Sequence, residues 1–281
     1  MTLLLEILVA LLVVLLAYYI YNHFKLKQLA HQMQQLADEA ERSKQQALTE
    51  QRRNQQLKQE MTNNIAHELK TPVSSIRGYL EILLGDKPVS AEQQQYFLQR
   101  SYTQTLRLSN LINDVGLINK LEEGQNLFPK EPLKIYGIAE EAVKDLENKL
   151  DERHIVVDNK IAPSLSIVGN HDLVYAIFRN LIDNVATHAG QNLKIIIETY
   201  KEDDDSAYFH FADNGSGVDN QYLSRIFDRF LRIDEGRSRQ LGGSGLGLAI
   251  VKHSVQFHGG DIYARNCDGG GLEFFFSLNK K

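Results

Sequence analysis

The chain has 281 residues, 43% of them hydrophobic and 24% charged, which allows two folded units plus connecting segments at roughly 100–200 residues per domain. Its 36 acidic residues outweigh 31 basic ones to give a formal net charge of -5, so no global basic field favours nucleic acid. A single cysteine, Cys267, excludes an intrachain disulfide framework, and a mean hydropathy of -0.32 excludes a polytopic membrane protein.

The first predicted element is a membrane anchor. Leu3 to Tyr21 is apolar except for Glu6. Its length, about 19 residues or about 28 Å as a helix, matches a hydrocarbon core of about 30 Å. Tyr18, Tyr19 and Tyr21 gather at one end, with His23, Lys25 and Lys27 beyond them and no Lys or Arg before the span. Interfacial aromatics and the positive-inside bias then predict a single pass through the membrane, N-terminus out, with the remaining chain in the cytoplasm. Lipid contact is assigned to residues 3–21, and no ligand domain is expected outside. A signal peptide would need a basic leader and a small-residue cleavage site, and neither is evident.

Residues 25–60 are polar, rich in Gln, and free of Gly and Pro. Leu26, Leu29, Met33, Leu36, Ala40, Ser43 and Ala47 alternate three and four apart, and Leu57 and Met61 return in the same register, weakened at Glu50 and Asn54. The pattern predicts a parallel coiled-coil stem and hence a homodimer.

Asn64 to Pro72 opens a helical stretch whose apolar stripe is Ile65, Leu69, Ile76, Leu80 and Leu83. His67 lies about 200° from Ile65 and from Leu69, so its imidazole faces away from the stripe, beside Glu68. Pro72 is expected to bend the helix just after it. A zinc-protease reading fails because Thr71, not His, stands four residues after His67. Lys87-Pro88-Val89 reads as a turn and Ser90 to Gln93 as a capping box. A second helix carries Tyr102, Leu108, Leu111, Ile112, Val115 and Ile118. This hairpin is too small to bury its own core, and two copies would make a four-helix bundle.

Beyond residue 133 the pattern alternates. Strands are predicted over His154–Lys160, Leu193–Tyr200, Ala207–Asp213, Asp261–Arg265 and Leu272–Leu278, and helices over Ile135–Leu150, Asp172–His188 and Gly245–His258. The mixture predicts a sheet covered by helices on one face, an α/β sandwich. Asn180 and Asn184 share a helix face, continued by His188, and carboxamide oxygens suit Mg²⁺ beside substrate phosphates. Asp213, at a strand end before Gly215 and Gly217, can accept from an exocyclic amine such as that of adenine. Gly242 to Leu248 precedes a helix whose N-terminus would face phosphates. That loop lacks the Gly-Lys-Ser/Thr ending of a Walker loop and the βαβ setting of a Rossmann fingerprint. About 30 residues between Asp213 and Gly245 suggest a lid, cationic through Arg225, Arg229, Arg232, Arg237 and Arg239. The acidic run Glu202 to Asp205 reads as a solvated hairpin turn.

In order and spacing, His67 to Pro72, the Asn180/Asn184 helix, Asp213-x-Gly-x-Gly, Phe227-Asp228-Arg229-Phe230 and Gly243-x-Gly-Leu-Gly-Leu resemble the histidine, asparagine, first glycine, phenylalanine and second glycine boxes of bacterial sensor histidine kinases of two-component systems. The likeness covers about residues 61–281, and its histidine segment is most similar to the phosphate-limitation sensors. It implies four parts: a transmembrane anchor (1–24), the stem (25–60), a dimerisation and histidine phosphoacceptor hairpin (61–122), and an ATP-binding domain of the Bergerat fold with its linker (123–281). It implies ATP and Mg²⁺ as cofactors and a cytoplasmic response regulator, on a separate chain, as partner. His67 would attack the γ-phosphate, Glu68 would orient and deprotonate the imidazole, and Thr71 would position water when the regulator is dephosphorylated. Asn184 would hold the metal. Asn180, His188, Asp213, Gly215, Gly217, Arg229, Gly243, Gly245 and Gly247 would contact or shape the nucleotide site.

Three positions depart from the family pattern. Thr187 stands where Lys or Arg usually points toward the phosphates, His188 replaces the common Tyr, and Leu231 replaces an aromatic. Thr187 leaves room for a phosphatase-dominant member that binds ATP poorly. A scaffold without chemistry is opposed by the intact His67, Asn184 and glycine loops. Chaperone, topoisomerase and mismatch-repair ATPases of the same fold lack the phosphoacceptor hairpin.

Overall fold

The computed structural model describes residues 2–123, 128–233 and 243–281; the side chains of residues 2–10, 30, 37, 38, 40, 54, 57, 122 and 123 lie outside the description. The chain divides into two compact units, Met1–Asn63 and Asn64–Lys281.

Helix α1 runs from Thr2 to Leu84 without a break. In the first unit its described apolar side chains from Leu11 to Leu16 and from Tyr18 to Tyr21 are each at least 56% exposed. Part of the predicted span Leu3–Tyr21 falls outside the described residues. Among the described residues no helix is long and apolar enough to cross a membrane. The seam positions Leu26, Leu29, Met33 and Leu36 are exposed along the same helix, while Ala40 and Leu57 lie outside the described side chains.

The second unit opens with the helical hairpin. The apolar stripe is half-buried at Ile65, Leu69, Ile76 and Leu83, and His67 is exposed. The helix continues through Pro72, where the Thr71 and Ser75 hydroxyls donate to the carbonyls of His67 and Thr71. Helix α2 (Ala91–Glu123) starts at a complete capping box. The Gln93 N–H donates to Ser90 Oγ at 3.2 Å, and the Ser90 N–H to Gln93 Oε1 at 3.1 Å. Tyr79 stacks on Phe97 near the loop, and Arg107 reaches Glu68 farther down, so the two helices are antiparallel. Leu111 and Ile118 are buried, whereas Val73, Leu80, Tyr102, Leu106 and Ile112 are 40–59% exposed.

The remainder is a two-layer α/β fold. Short strands β1 (Glu131–Lys134) and β3 (Ser166–Gly169) pair antiparallel. The main sheet has order β2 (Val156–Asn159), β4 (Lys194–Glu202), β5 (Ser206–Asp213), β7 (Leu272–Asn279), β6 (Ile262–Asn266). Among the described residues its only parallel pair is β2 with β4. Residues alternate strictly along β5: Ala207, Phe209, Phe211 and Asp213 are buried under the helices, and Tyr208 and His210 face outward. The covering helices are α3 (Ile135–Asp145), α5 (His171–Asn184) and α7 (Gly247–Phe257), with short α4 (Glu147–Glu152) and α6 (Asn220–Leu223) at the edges. Phe178 of α5 packs edge-on against Phe209 and Phe276, which stack with centroids 5.0 Å apart.

Two predicted helices end differently. The helix expected over Ile135–Leu150 breaks at Leu146 (φ -104°, ψ 5°), and Leu146 and Leu150 are both buried. The helix expected to reach His188 ends at Asn184 and passes into a π turn, Val185–Ala189, in which Val185 and Ala186 are buried. The turn Glu202–Asp205 joins β4 to β5 as expected, with Lys280 on Glu202 and Lys281 on Asp205, each at 2.7 Å.

His258, 2% exposed, ties the end of α7 to the start of α5. Its Nδ1 faces the Ser254 carbonyl at 2.7 Å and its Nε2 accepts from the Asn170 N–H at 3.1 Å, while Asn170 caps α5 through Leu173 N–H. This pattern needs the neutral ring, and burial lowers the pKa below the usual 6.5. A depressed histidine pKa leaves stability intact above about pH 6.5 and removes it as pH falls, because the unfolded chain takes up the proton first. Stability is therefore expected to fall between pH 6.5 and 5 by at most about 1.4 kcal/mol per pH unit from this group. Urea unfolding across that range tests this, and His258→Gln should flatten the fall.

Candidate active site

Three elements bring the candidate residues of the α/β layer together. Asn180 and Asn184 lie one turn apart on α5, whose N-terminus is anchored by the Asn170 cap. The Asn180 amide donates to its own helix at the Ala176 carbonyl (2.8 Å), which leaves the side-chain oxygen toward Gly247. A Cβ on Gly247 would lie 2.8 Å from that oxygen, so the loop closes on α5 only as glycine. Asn184 is half-buried and its carboxamide has no hydrogen bond among the described residues. A partly desolvated amide oxygen at a helix end, unused by the fold, fits a hard cation that takes most of its ligands from phosphates.

Asp213 ends β5, 6% exposed, and its Oδ1 accepts from Gly215 N–H at 2.8 Å. Burial pushes its pKa up, partly opposed by the backbone donors of Gly215 and Leu272. Gly215 packs so closely on Ala189 that a Cβ would come within 2.6 Å, and Gly217 adopts φ +65°. This loop therefore sits directly against the π turn that follows Asn184.

The second glycine loop is joined to the phenylalanine motif. Phe230 has φ 61°, a conformation uncommon for a bulky residue, and its N–H donates to the Gly245 carbonyl at 2.8 Å. Gly245 has φ +72°, and a Cβ there would meet Phe230 Cα at 2.9 Å. Gly243 lies against the His188 ring. The Leu246 N–H donates to Ser244 Oγ at 3.2 Å, and helix α7 then begins with no side-chain cap among the described residues, so the N–H groups of its first turn can face an anion. Gly242, Arg237 and Arg239 lie outside the described residues. His188 keeps an open edge, yet the surrounding loop withdraws water and lowers its pKa; Asp183 opposes that shift, and Lys149 and Arg232 add to it.

The two halves of the second unit meet at His67. A cleft of about 340 Å³ is lined by Asn64, His67 and Glu68 from α1 and by Arg225, Asp228, Arg229, Phe230, Leu231 and Arg232. Glu68 faces Arg232 at 2.7 Å and Arg107 at 3.7 Å, all three side chains at most 19% exposed, rather than the His67 ring. Arg232 also donates to the Gly243 carbonyl. The Ser244 hydroxyl donates to Asp114 Oδ2 at 3.1 Å, where burial raises the Asp114 pKa. Arg229 borders the cleft with one guanidinium nitrogen 2.9 Å from His253 Nε2, and among the described residues Thr71 bonds only to its own helix.

The candidate residues thus form two clusters linked by the phenylalanine motif. His67, Glu68 and Arg229 border the cleft, with Thr71 one turn along α1. Asn180, Asn184, His188, Asp213 and the glycines gather around the end of α5 and the π turn that follows it. Arg107 and Asp114 escaped sequence reasoning; they are seven residues apart on one face of α2, a spacing that marks a polar stripe but gives no partner.

Residues 57–124 match the His Kinase A (phospho-acceptor) domain, and residues 169–281 match the histidine kinase-, DNA gyrase B-, and HSP90-like ATPase domain. The chain is 30% identical over 236 residues to sensor histidine kinase WalK of Bacillus subtilis, covering 83% of this chain and 38% of that protein. It is 30% identical over 220 residues to phosphate regulon sensor protein PhoR of Pseudomonas aeruginosa, covering 78% and 49%. It therefore spans half or less of the length of these two curated relatives. The crystal structure of histidine kinase ThkA in complex with response regulator protein TrrA shares the fold, with TM-score 0.61 and 20% identity over 79% of this chain and 61% of that one.

Proposed function

We propose, for a chain that belongs to the two-component sensor histidine kinases, that it transfers the γ-phosphoryl group of ATP to His67 and then to an aspartate of a separate response regulator. The observation that carries this reading is the shared cleft: the exposed His67 imidazole borders the same cavity as the arginines that continue into the glycine loop.

Phosphoryl transfer asks for positioning and charge neutralisation more than for covalent help. Asp213 would read the adenine amine, Asn180 and His188 would flank the nucleotide, and the uncapped start of α7 would face its phosphates. Mg²⁺, held by Asn184 and the phosphates themselves, would neutralise the polyphosphate charge. A neutral His67 ring nitrogen attacks the γ-phosphorus, the bond to the ADP oxygen breaks, and the other ring nitrogen loses its proton. Glu68 is the adjacent base for that proton. In the resting arrangement it is charge-paired with Arg107 and Arg232, so transfer requires Arg232 to leave it for the phosphates.

The same reading includes a homodimer anchored in the inner membrane through residues 3–21. The exposed apolar side chains of the hairpin (Val73, Leu80, Tyr102, Leu106, Ile112) and the exposed seam of α1 support pairing of two copies. Dephosphorylation of the regulator, with Thr71 placing water, belongs to the proposal as well. A phosphatase-dominant balance is the second reading, favoured by Thr187 and by the paired state of Glu68.

Transfer is tested with purified receiver domains. Labelled chain should lose its phosphoryl group to a cognate receiver within minutes and to none whose acceptor aspartate is Asn. Failure to transfer to any receiver encoded alongside it would contradict the relay.

A further inference from the structure

We propose that Lys149, a residue of α4 outside every recognised motif, is the phosphate-contacting cation on the α5 side of the nucleotide site. This inference rests on the nucleotide site proposed above and deepens it.

Position 187 offers a hydroxyl where the site needs positive charge, but the space beside it is not empty of cations. Lys149 Nζ lies 2.7 Å from Thr187 Oγ1 and 2.6 Å from Asp183 Oδ1. Thr187 Oγ1 donates in turn to the Asp183 carbonyl at 2.7 Å, so the hydroxyl holds the ammonium at the end of α5. Asp183 directly precedes Asn184, and His188 directly follows Thr187. The ammonium therefore sits among the residues that surround the metal and the phosphates. Its field reaches the His188 ring together with that of Arg232, so the two cations act on the ring that Gly243 covers.

Lys149 stands on α4, just after the break at Leu146, and reaches across to Asp183 and Thr187 at the end of α5. The pair with Asp183 is over a third exposed on both sides, and such pairs contribute little to stability. The ammonium can thus exchange a single carboxylate for a polyphosphate of higher charge without cost to the fold. A lysine on a flexible stem, held by one hydroxyl and one exposed carboxylate, is a mobile point charge of the kind that follows phosphate.

The alternative role is a staple between α4 and α5, and the two roles differ in which ligands feel the change. Lys149→Met in the full chain should weaken Mg-ATP and Mg-ADP binding by about tenfold or more, as loss of a hydrogen bond to a charged group implies, and leave adenosine and AMP within about twofold. Adding Thr187→Lys to that variant should restore ATP affinity by supplying the charge from α5, and Lys149→Arg should retain much of it. Titration calorimetry with the four ligands gives the readout, and an unchanged melting temperature shows that the fold is kept. Unaltered ATP affinity in Lys149→Met overturns the inference while the kinase reading stands. Equal losses for adenosine and ATP overturn it in favour of the staple. A wild-type chain that binds none of the four ligands overturns both the inference and the nucleotide site on which it rests.

Discussion

Replacing His67 with Gln is expected to abolish incorporation of label from γ-labelled ATP while leaving Mg-ATP affinity within about twofold. The imidazole is exposed and makes no hydrogen bond or ion pair among the described residues, so its loss removes no packing and no polar partner from the fold. Surface substitutions of this kind stay within about 0.5 kcal/mol of the parent stability. Glutamine keeps a polar side chain of similar reach but has no nucleophilic nitrogen, because its amide lone pair is delocalised. The nucleotide contacts are assigned to α5, β5 and the loop before α7, and among the described residues His67 makes no side-chain hydrogen bond or ion pair to any of them. Label in the variant equal to the wild type would move the phosphoacceptor elsewhere, and loss of ATP binding would mean that the two clusters are not separable.

Asn184→Ala is expected to remove the Mg²⁺ dependence of ATP binding. The carboxamide is unused by the ligand-free fold, so truncation to Ala leaves no buried group unsatisfied. The loss should therefore appear in binding and hardly in stability. Interactions with charged groups are worth about 1.5–3 kcal/mol, which corresponds to a decrease of roughly 10–150-fold in Mg-ATP affinity at about 1.4 kcal/mol per decade. Affinity in EDTA should be the same for variant and wild type. Equal affinity of the two proteins in the presence of Mg²⁺ would refute the metal assignment.

The sequence patterns that proved legible share a strong local cause. The five strands of the main sheet were predicted within about two residues because alternation with period two is enforced by a one-sided core, as in β5. The Ser90–Gln93 capping box could be read because both of its hydrogen bonds are made within four residues. The β1–β3 ribbon was not predicted: each strand has four residues, one contains Pro132, and their pairing joins segments more than 30 residues apart. The break at Leu146 was equally hidden, since the apolar helix periodicity persists across it and carries no mark of the interruption. The π turn after Asn184 has no sequence signature of its own. It places Thr187 at 7% exposure and leaves His188 exposed.

The site divides in the same way. Motif spacing exposed the residues that would touch nucleotide or phosphate, because each motif is continuous in the chain. It did not expose what the motifs do to one another. The pairing of Glu68 with Arg232, across 164 positions, and of Ser244 with Asp114, across 130, emerges only when the helical hairpin and the glycine loop meet. Read locally, Glu68 is a base beside His67; in the folded unit it is a charge-paired group that must be released. Lys149 lay in a segment with no motif at all, and only its distance to Thr187 brings it into the site.

The most direct test of the account is to incubate the fragment from about residue 25 onward with Mg²⁺ and γ-labelled ATP, beside its His67→Gln variant. The expected label is labile in acid, stable in alkali and absent from the variant, the signature of a phosphoramidate on His67. Label that resists acid, or that persists in the variant, would contradict it. So would an absence of label in a fragment that binds Mg-ATP, and that result would turn the assignment toward the phosphatase.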